Sequence, residues 1–335
     1  MIGRRRLRVA VAEGLSRQDP TTGHGRVWRS TLAELERLVR LRTAGPGARV
    51  RADAWMADGH APPVDVDRPV VAFLHEAPWR MPELVADMTP AFRAEMERVS
   101  LESAQRATRI VTPSAASRAQ VVEALGVAAD RVDVVAHGVD ASRFRPVPGA
   151  GLARVGSPYV LFVSQLHPRK NLSALREAMT TVGAGRALAI VAGPARDRAD
   201  SGDLAAAAFA PIPGVQVVRV EAPSDAELAS LMADADAFCL PSLFEGFGLT
   251  ALEAMACGAP VVCSDRGALP EVVGDAAIVT APDARSLERA LGRVLGDPVL
   301  ADELRAAGIA RAAAFTWERT ARGWLASLQR AADEG

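Results

Sequence analysis

Short apolar runs followed by turns and amphipathic segments recur along the whole chain, and this alternation of strand and helix admits little besides layered parallel α/β structure. The runs at 7–12, 69–74, 108–112 and 132–136 are near-continuous in apolar residues rather than alternating, as strands covered on both faces are. Between them the spacing predicts helices over 27–42, 90–106 and 115–125. Residues 145–158 interrupt the pattern: they are rich in Pro and Gly and lack apolar periodicity, which reads as a linker. The alternation then restarts, with strands at 159–164, 187–192, 215–220, 237–240, 259–263 and 276–279. The alanine run at 205–208 is ordinary helix, and no sequence repeat or low-complexity segment is evident. Near the end, Trp317, Trp324 and Leu328 fall at near-helical spacing, so an amphipathic helix with an aromatic face is expected, and it needs a surface to cover. The reading is an α/β chain with Rossmann-like domains at 1–150 and 151–315, and a terminal helix at 316–335 packing back toward the first.

A length of 335 residues exceeds one compact core and fits two domains. With 49% hydrophobic and 24% charged residues, the composition is that of a globular protein and excludes global disorder. No run approaches the roughly 18 apolar residues of a membrane span, and residues 1–8 carry arginines without an apolar signal core, so a cytoplasmic location is expected. Cys239, Cys257 and Cys263 lack the paired spacing of a zinc site and read as buried, reduced thiols.

Charge divides unevenly. Residues 1–150 hold 22 arginines against 18 acids, and the remainder holds 17 basic residues against 22 acids. The first half suits an anionic acceptor or peripheral contact with lipid headgroups at the inner face of a membrane, and it suits a solvated mixed-charge surface equally well; no nucleic-acid partner is expected. Of the 39 basic residues only Lys170 is lysine, which invites a chemical reason for it beyond survival by chance.

Two constellations carry chemistry. The first runs from Pro241 through Glu245, Gly246, Phe247, Gly248, Leu249 and Thr250 to Glu253 and Gly258, leaving a strand and entering a helix. Glycines at 246 and 248 let a ligand approach the backbone closely, and the first helical amides together with the helix dipole favour an anion such as a diphosphate. Carboxylates flanking such a site face hydroxyls rather than phosphates, Glu253 a ribose and Glu245 a transferred sugar. Ser242-x-x-Glu245 and Thr250-x-x-Glu253 also satisfy the capping-box pattern, so local grammar leaves the two readings level. The second constellation, Gln165 to Leu172, sets Arg169 and Lys170 at what reads as a helix start, where the dipole disfavours cations unless an anion neutralises them. A solvent-exposed pair is the plainer alternative. Asp234-x-Asp236 resembles a metal-binding pair but ends a helix and reads as capping, so no metal site is assigned.

Three segments together resemble the retaining GT-B glycosyltransferases of the large group that includes many bacterial mannosyltransferases. They are Glu245-Gly246-Phe247-Gly248-Leu249 with Leu252-Glu253-Ala254-Met255-Ala256-Cys257-Gly258, the Pro168-Arg169-Lys170-Asn171 turn, and residues 270–277. Val111 to Ser114, His137 to Asp140 and Phe315 to Arg319 extend the likeness over the chain from about residue 69. The resemblance implies two Rossmann-like domains facing a central cleft, and a nucleotide-sugar donor used without metal or other cofactor. It implies a glycan, lipid-linked or small-molecule acceptor, and mannose on GDP as the first guess for the donor. Carried over by position, it places Arg169 and Lys170 on the donor phosphates, residues 246–250 as a backbone cradle, Glu253 on the ribose and Glu245 toward the sugar. His75, after a first-domain strand, matches a histidine that reaches the transferred sugar, and Gly23, His24 and Gly25 loosely match an acceptor-side loop. Gln165 departs from the arginine or threonine common at its place, and the base is expected near 219–225.

Two rivals stay in view. A dinucleotide-dependent oxidoreductase also begins strand, glycine loop, helix, but Gly23-x-Gly25 is followed by Trp28 where a third glycine is expected. A catalytically silent relative that binds a nucleotide or glycan is opposed by the retention of Lys170, Glu245 and Glu253.

Overall fold

The computed structural model describes residues 6–18, 22–45, 48, 50–85, 88–147, 149–193 and 201–335; the start of the chain read above for a signal, residues 1–5, lies outside them, as does Pro148 of the Pro/Gly-rich stretch. The chain divides into two units. One comprises Met1–Gly138 with Phe315–Gly335, the other Val139–Ala314.

Unit 1 is built on β1 (Arg8–Ala12), β2 (Arg40–Ala44), β3 (Ala54–Asp58), β4 (Val70–Phe73), β5 (Arg109–Thr112) and β6 (Val132–Val134). They form one parallel sheet in the order β2-β1-β3-β4-β5-β6. Unit 2 carries β7 (Tyr159–Gln165), β8 (Ala187–Gly193), β9 (Gln216–Val220), β10 (Ala237–Leu240), β11 (Val261–Ser264) and β12 (Ile278–Thr280), again parallel, in the order β12-β11-β10-β7-β8-β9. The central strands β4, β5, β10 and β11 are buried at every residue, because helices cover both faces of a parallel sheet. In each sheet the strand order reverses once, between β1 and β3 and between β7 and β10. Open α/β sheets bind their ligands outside the strand carboxyl ends at that reversal.

Two strands escaped the sequence reading. The helix predicted over 27–42 is Gly23–Leu38, and the chain leaves it at Val39 to run as β2 beside β1. β2 is an edge strand, largely exposed, and its arginines hide it from a pattern search. β3 is buried, but Ala54-Trp55-Met56-Ala57 has little of the β-branched content that marks a strand. The supposed linker at 145–158 contains the helix Ala150–Val155, and the unit boundary falls earlier, after Gly138. Asp234 explains the order there: its carboxylate accepts from the backbone N–H of Gly149 and Leu152, at 2.8 and 3.0 Å.

The last helix, Trp317–Glu334, lies in unit 1, where Trp324 meets Trp28 edge-on with centroids 5.4 Å apart and also approaches Phe73. Such aromatic pairs contribute about 0.5–1.5 kcal/mol beyond their buried area. Buried Arg109 binds Asp133 at 2.8 Å and Glu334 at 2.7 Å, and Ser327 donates to Asp133 at 2.6 Å. At the start of this helix Gly138 lies so close that an added Cβ would strike the backbone of Thr316 and Trp317. The three cysteines are free and buried, and burial pushes Cys257 and Cys263 up to about 12, as inert thiols require. Among the described residues no helix is long and apolar enough to cross a membrane.

Gly138→Ala is therefore expected to cost about 1–3 kcal/mol through forced displacement of that backbone, whereas Gly14→Ala, which meets open space, leaves stability within about 0.5 kcal/mol. Urea unfolding followed by tryptophan fluorescence distinguishes the two; equal midpoints would refute the packing argument.

Candidate functional site

At the reversal point of unit 2 two loops meet. β7 ends at Gln165, and after His167 the chain makes a 3-10 turn, Pro168–Lys170, capped by His167, whose Nδ1 accepts from the Arg169 N–H at 3.0 Å. Asn171 follows in the left-handed region, at φ 54, and its Nδ2 donates to the carbonyls of Pro241 (3.1 Å) and Pro282 (2.7 Å). The Leu243 N–H donates to the Arg169 carbonyl at 2.8 Å. This turn, and not the first turn of the helix Leu172–Val182, therefore carries Arg169 and Lys170, which corrects the reading that the cations open a helix.

The anion they neutralise belongs to the protein. Lys170 Nζ donates to Glu245 Oε1 at 2.6 Å, and Ser242 Oγ donates to the same oxygen at 2.6 Å. Arg169 Nη1 donates to the Phe244 carbonyl at 3.0 Å and lies 3.5 Å from Glu245 Oε2. Glu245 is only 7% exposed. Burial acts to raise its pKa, but the charges of Lys170 and Arg169 and the hydrogen bonds from Lys170 and Ser242 outweigh it, so the carboxyl lies below its ordinary range and stays ionised. Ser242 thus bonds the Glu245 side chain rather than capping a helix. The capping box occurs instead at Ser224 and Glu227, ahead of the helix Asp225–Ala233.

The helix after β10, Leu249–Ala256, begins at Gly248, whose φ of 95 only glycine adopts freely. Gly267, at φ 59, lets a third loop press against the Glu245 backbone, and the Ala268 N–H donates to the Glu245 carbonyl at 2.8 Å. Of the remaining residues singled out from the sequence, Phe247 and Glu253 are each 2% exposed and Thr250 is half-buried. Gln165 is exposed at the end of β7, and a cavity of about 340 Å³ lies beside it, lined by Phe162, Leu166, Pro168, Lys170, Arg176 and Leu204 among others. Arg219 pairs with Glu221 at 3.0 Å and stacks on Phe209.

In unit 1, Gly23, His24 and Gly25 form the first turn of a helix rather than a loop, since Thr22 Oγ1 accepts from the Gly25 N–H at 3.0 Å and caps it. His24 and His75 approach each other, with centroids 6.3 Å apart, and His75 stacks on His137 at 5.9 Å. His75 Nδ1 lies 3.3 Å from the Glu76 carboxylate. Sequence reasoning missed His60 and Asp58; the available signal was a histidine just beyond the ends of β3, β4 and β6 alike. Burial first, and the neighbouring imidazoles second, hold His24 and His137 below the ordinary histidine range, and burial does the same for His60.

Two family models match the chain: "Glycosyl transferases group 1" over residues 149–312 and "Glycosyltransferase Family 4" over 22–143. The chain is 35% identical over 240 residues to a D-inositol 3-phosphate glycosyltransferase of Frankia alni, covering 67% of this chain and 59% of that protein. It is 33% identical over 234 residues to an MMP alpha-(1->4)-mannosyltransferase of Mycolicibacterium hassiacum, covering 68% and 55%. It thus spans less than two thirds of the length of these relatives. Its fold matches that of Anabaena HepE in complex with UDP-glucose, at TM-score 0.75 and 18% identity, over 97% of this chain and all of the other.

Two outcomes follow. Lys170→Met is expected to destabilise unit 2 by about 3 kcal/mol because it strands a buried carboxylate, with most of the loss recovered in Lys170→Met/Glu245→Gln; equal unfolding midpoints for single and double variants would contradict the ion pair. Histidines whose folded pKa is depressed stabilise above their unfolded value of about 6.5 and lose that contribution as pH falls through it toward the folded value. Melting temperature should therefore drop between about pH 7.5 and pH 5, and less steeply in His137→Asn; an unchanged slope in that variant would contradict the assignment.

Proposed function

The chain belongs to the group 1 glycosyl transferases, and from that premise we propose that it moves a hexosyl group from a nucleotide-diphosphate sugar to an acceptor hydroxyl, with retention of anomeric configuration and without a metal ion. The observation that carries the reading is the meeting of Lys170, Arg169 and Glu245 at the strand-order reversal of unit 2, beside the start of the helix Leu249–Ala256. Cations there serve a diphosphate leaving group, and the amides of Gly246, Phe247, Gly248, Leu249 and Thr250 add the positive end of the helix dipole.

In the step itself the bond from sugar C1 to the phosphate oxygen breaks with its electron pair leaving on the diphosphate. The acceptor oxygen forms the new bond to C1, and its proton passes to the departing phosphate. Negative charge grows on that phosphate as the bond lengthens, and preorganised cations facing it lower the barrier. Lys170 exchanges its bond to Glu245 for one to phosphate, which frees the Glu245 carboxylate to accept hydroxyls of the transferred sugar. Glu253 takes the ribose hydroxyls. The Pro168–Lys170 turn and the mannosyltransferase among the relatives favour GDP-mannose, and the UDP-glucose held by the structural neighbour makes UDP sugars the comparison.

A thermal-shift panel of GDP, UDP, ADP and dTDP is expected to select one diphosphate, since a bound ligand raises apparent stability with its affinity. With the sugar of that nucleotide, Lys170→Ala and Glu245→Ala each lower turnover by roughly 10²-fold, EDTA leaves the rate unchanged, and NMR of the product shows the donor's anomeric configuration. Near-normal turnover in both variants, a strict need for added divalent ion, or an inverted product would each contradict the corresponding part of the reading.

A further inference from the structure

The turn that carries Arg169 and Lys170 is held by a single residue. Pro168 opens it and has no N–H. The two amide donors that follow both end on His167: the Arg169 N–H on its ring Nδ1 at 3.0 Å, and the Lys170 N–H on its carbonyl at 2.8 Å. Asn171 closes the turn, its own N–H donating to the Pro168 carbonyl at 2.9 Å. The bond to the carbonyl involves backbone alone. The bond to the ring needs a nitrogen with a free lone pair, and since an amide N–H can only donate, the ring is uncharged in this arrangement with its one proton on Nε2. Of the chain's five histidines, His167 is the one that lies in unit 2.

The usual residues at such a cap are Asp, Asn, Ser and Thr. Asp would set a negative charge beside a diphosphate, and the other three accept the N–H at every pH. A histidine changes from acceptor to donor between about pH 8 and about pH 5. His167 is half-buried, so solvent protons reach it. It lines the cavity of about 340 Å³ together with Lys170 of its own turn and Arg176 of the helix Leu172–Val182, while the helix Ser201–Phe209 brings only Leu204, Ala207 and Ala208 there. Arg176 donates to the carbonyls of Ala208 and Ala210, at 2.7 and 2.6 Å, and Glu245, from the loop after β10, is bound by Lys170. A proton on Nδ1 would therefore set N–H against N–H and add a third positive charge to a turn that already carries two.

Resting on the glycosyltransferase reading, we propose that His167 positions Arg169 and Lys170 for the donor diphosphate, that only its uncharged ring does so, and that donor affinity falls as pH drops through its titration. With the cap in place the turn is fixed and Lys170 stands ready for the diphosphate. Without it the turn samples other conformations, and binding must first restore this one. Loss of one such cap corresponds to about a fivefold loss of the ordered form. By linkage the bound donor in turn drives His167 toward its uncharged state. A simple charge effect has the opposite sign, because an imidazolium attracts a diphosphate and is stabilised by it. The sign thus separates a positioning residue from a neighbouring cation.

The test uses the full chain with GDP-mannose and with UDP-glucose, whose diphosphates are esterified at both ends and do not titrate near pH 6 as a terminal phosphate does. Calorimetric titration of the wild type is expected to show affinity for the nucleotide sugar that binds falling about fivefold between about pH 8 and about pH 5.5. His167→Asn, whose side-chain oxygen accepts the Arg169 N–H at either pH, keeps the affinity of the higher pH with a flatter slope, and His167→Ala is about fivefold weaker throughout. The difference in slope between wild type and His167→Asn removes any share of the unit 1 histidines. Nitrogen-15 NMR of the histidine rings, with His167 assigned through its loss in either variant, is expected to place the neutral ring's proton on Nε2 and to show its titration moving to lower pH when donor is added. Melting temperatures are checked, and should one variant fail to fold, the wild-type profile and the other variant decide. Affinity that rises toward low pH, a slope unchanged in His167→Asn, a ring proton on Nδ1, a titration moved to higher pH by the donor, or binding of neither nucleotide at any pH overturns the proposal. Nucleoside diphosphate release from the donor is measured separately. The pH signature without any release sinks the transferase reading and leaves the role of His167 standing, and release with affinity indifferent to pH does the reverse.

Discussion

Everything at the strand-order reversal of unit 2 is arranged around one buried carboxylate. Glu245 is almost enclosed, and an enclosed carboxylate remains ionised only where its charge is matched and its lone pairs are occupied. Lys170, Arg169 and Ser242 meet that demand. Each is fixed in turn: Lys170 and Arg169 by a turn that His167 caps and Asn171 ties to two neighbouring loops, Ser242 by a loop whose carbonyl accepts from Ser264 Oγ at 2.5 Å. The consequence is a cation held in place before any substrate arrives. Preorganisation of this kind is what lets an enzyme stabilise growing charge on a leaving group without reorganising at the moment of reaction.

The two units apply one topological rule to different chemistry. Each sheet reverses its strand order once, and each gathers its unusual side chains there. In unit 2 these are cations around an acid; in unit 1 they are imidazoles, two carboxylates and aromatic rings, with burial holding His24, His60 and His137 below the ordinary histidine range.

How much of this the sequence disclosed depended on how each element is stabilised. Strands such as β7 and β10 were legible because both faces are buried and their residues are continuously apolar. β2 and β3 were not, the one because its exposed edge tolerates arginines, the other because alanine, tryptophan and methionine give no strand signature. Lys170, Arg169 and Glu245 were found as a group through their motifs, yet their mutual ion pair was not foreseen, because they lie 75 residues apart and meet only through the order of β7 and β10. Asp58 ends the strand that was missed and His60 follows it, so with β3 unread neither was placed at a strand end.

The central claim is that Lys170 is shared between Glu245 and the donor diphosphate. Calorimetric titration of the cognate nucleoside diphosphate, which has no sugar to contact Glu245, tests it directly in the wild type, Lys170→Ala, Glu245→Gln and the double variant. Competition predicts affinity about tenfold weaker in Lys170→Ala, stronger than wild type in Glu245→Gln, and no gain from Glu245→Gln once Lys170 is absent. Affinity that is indifferent to Lys170, or a Glu245→Gln gain that persists without it, would contradict the account.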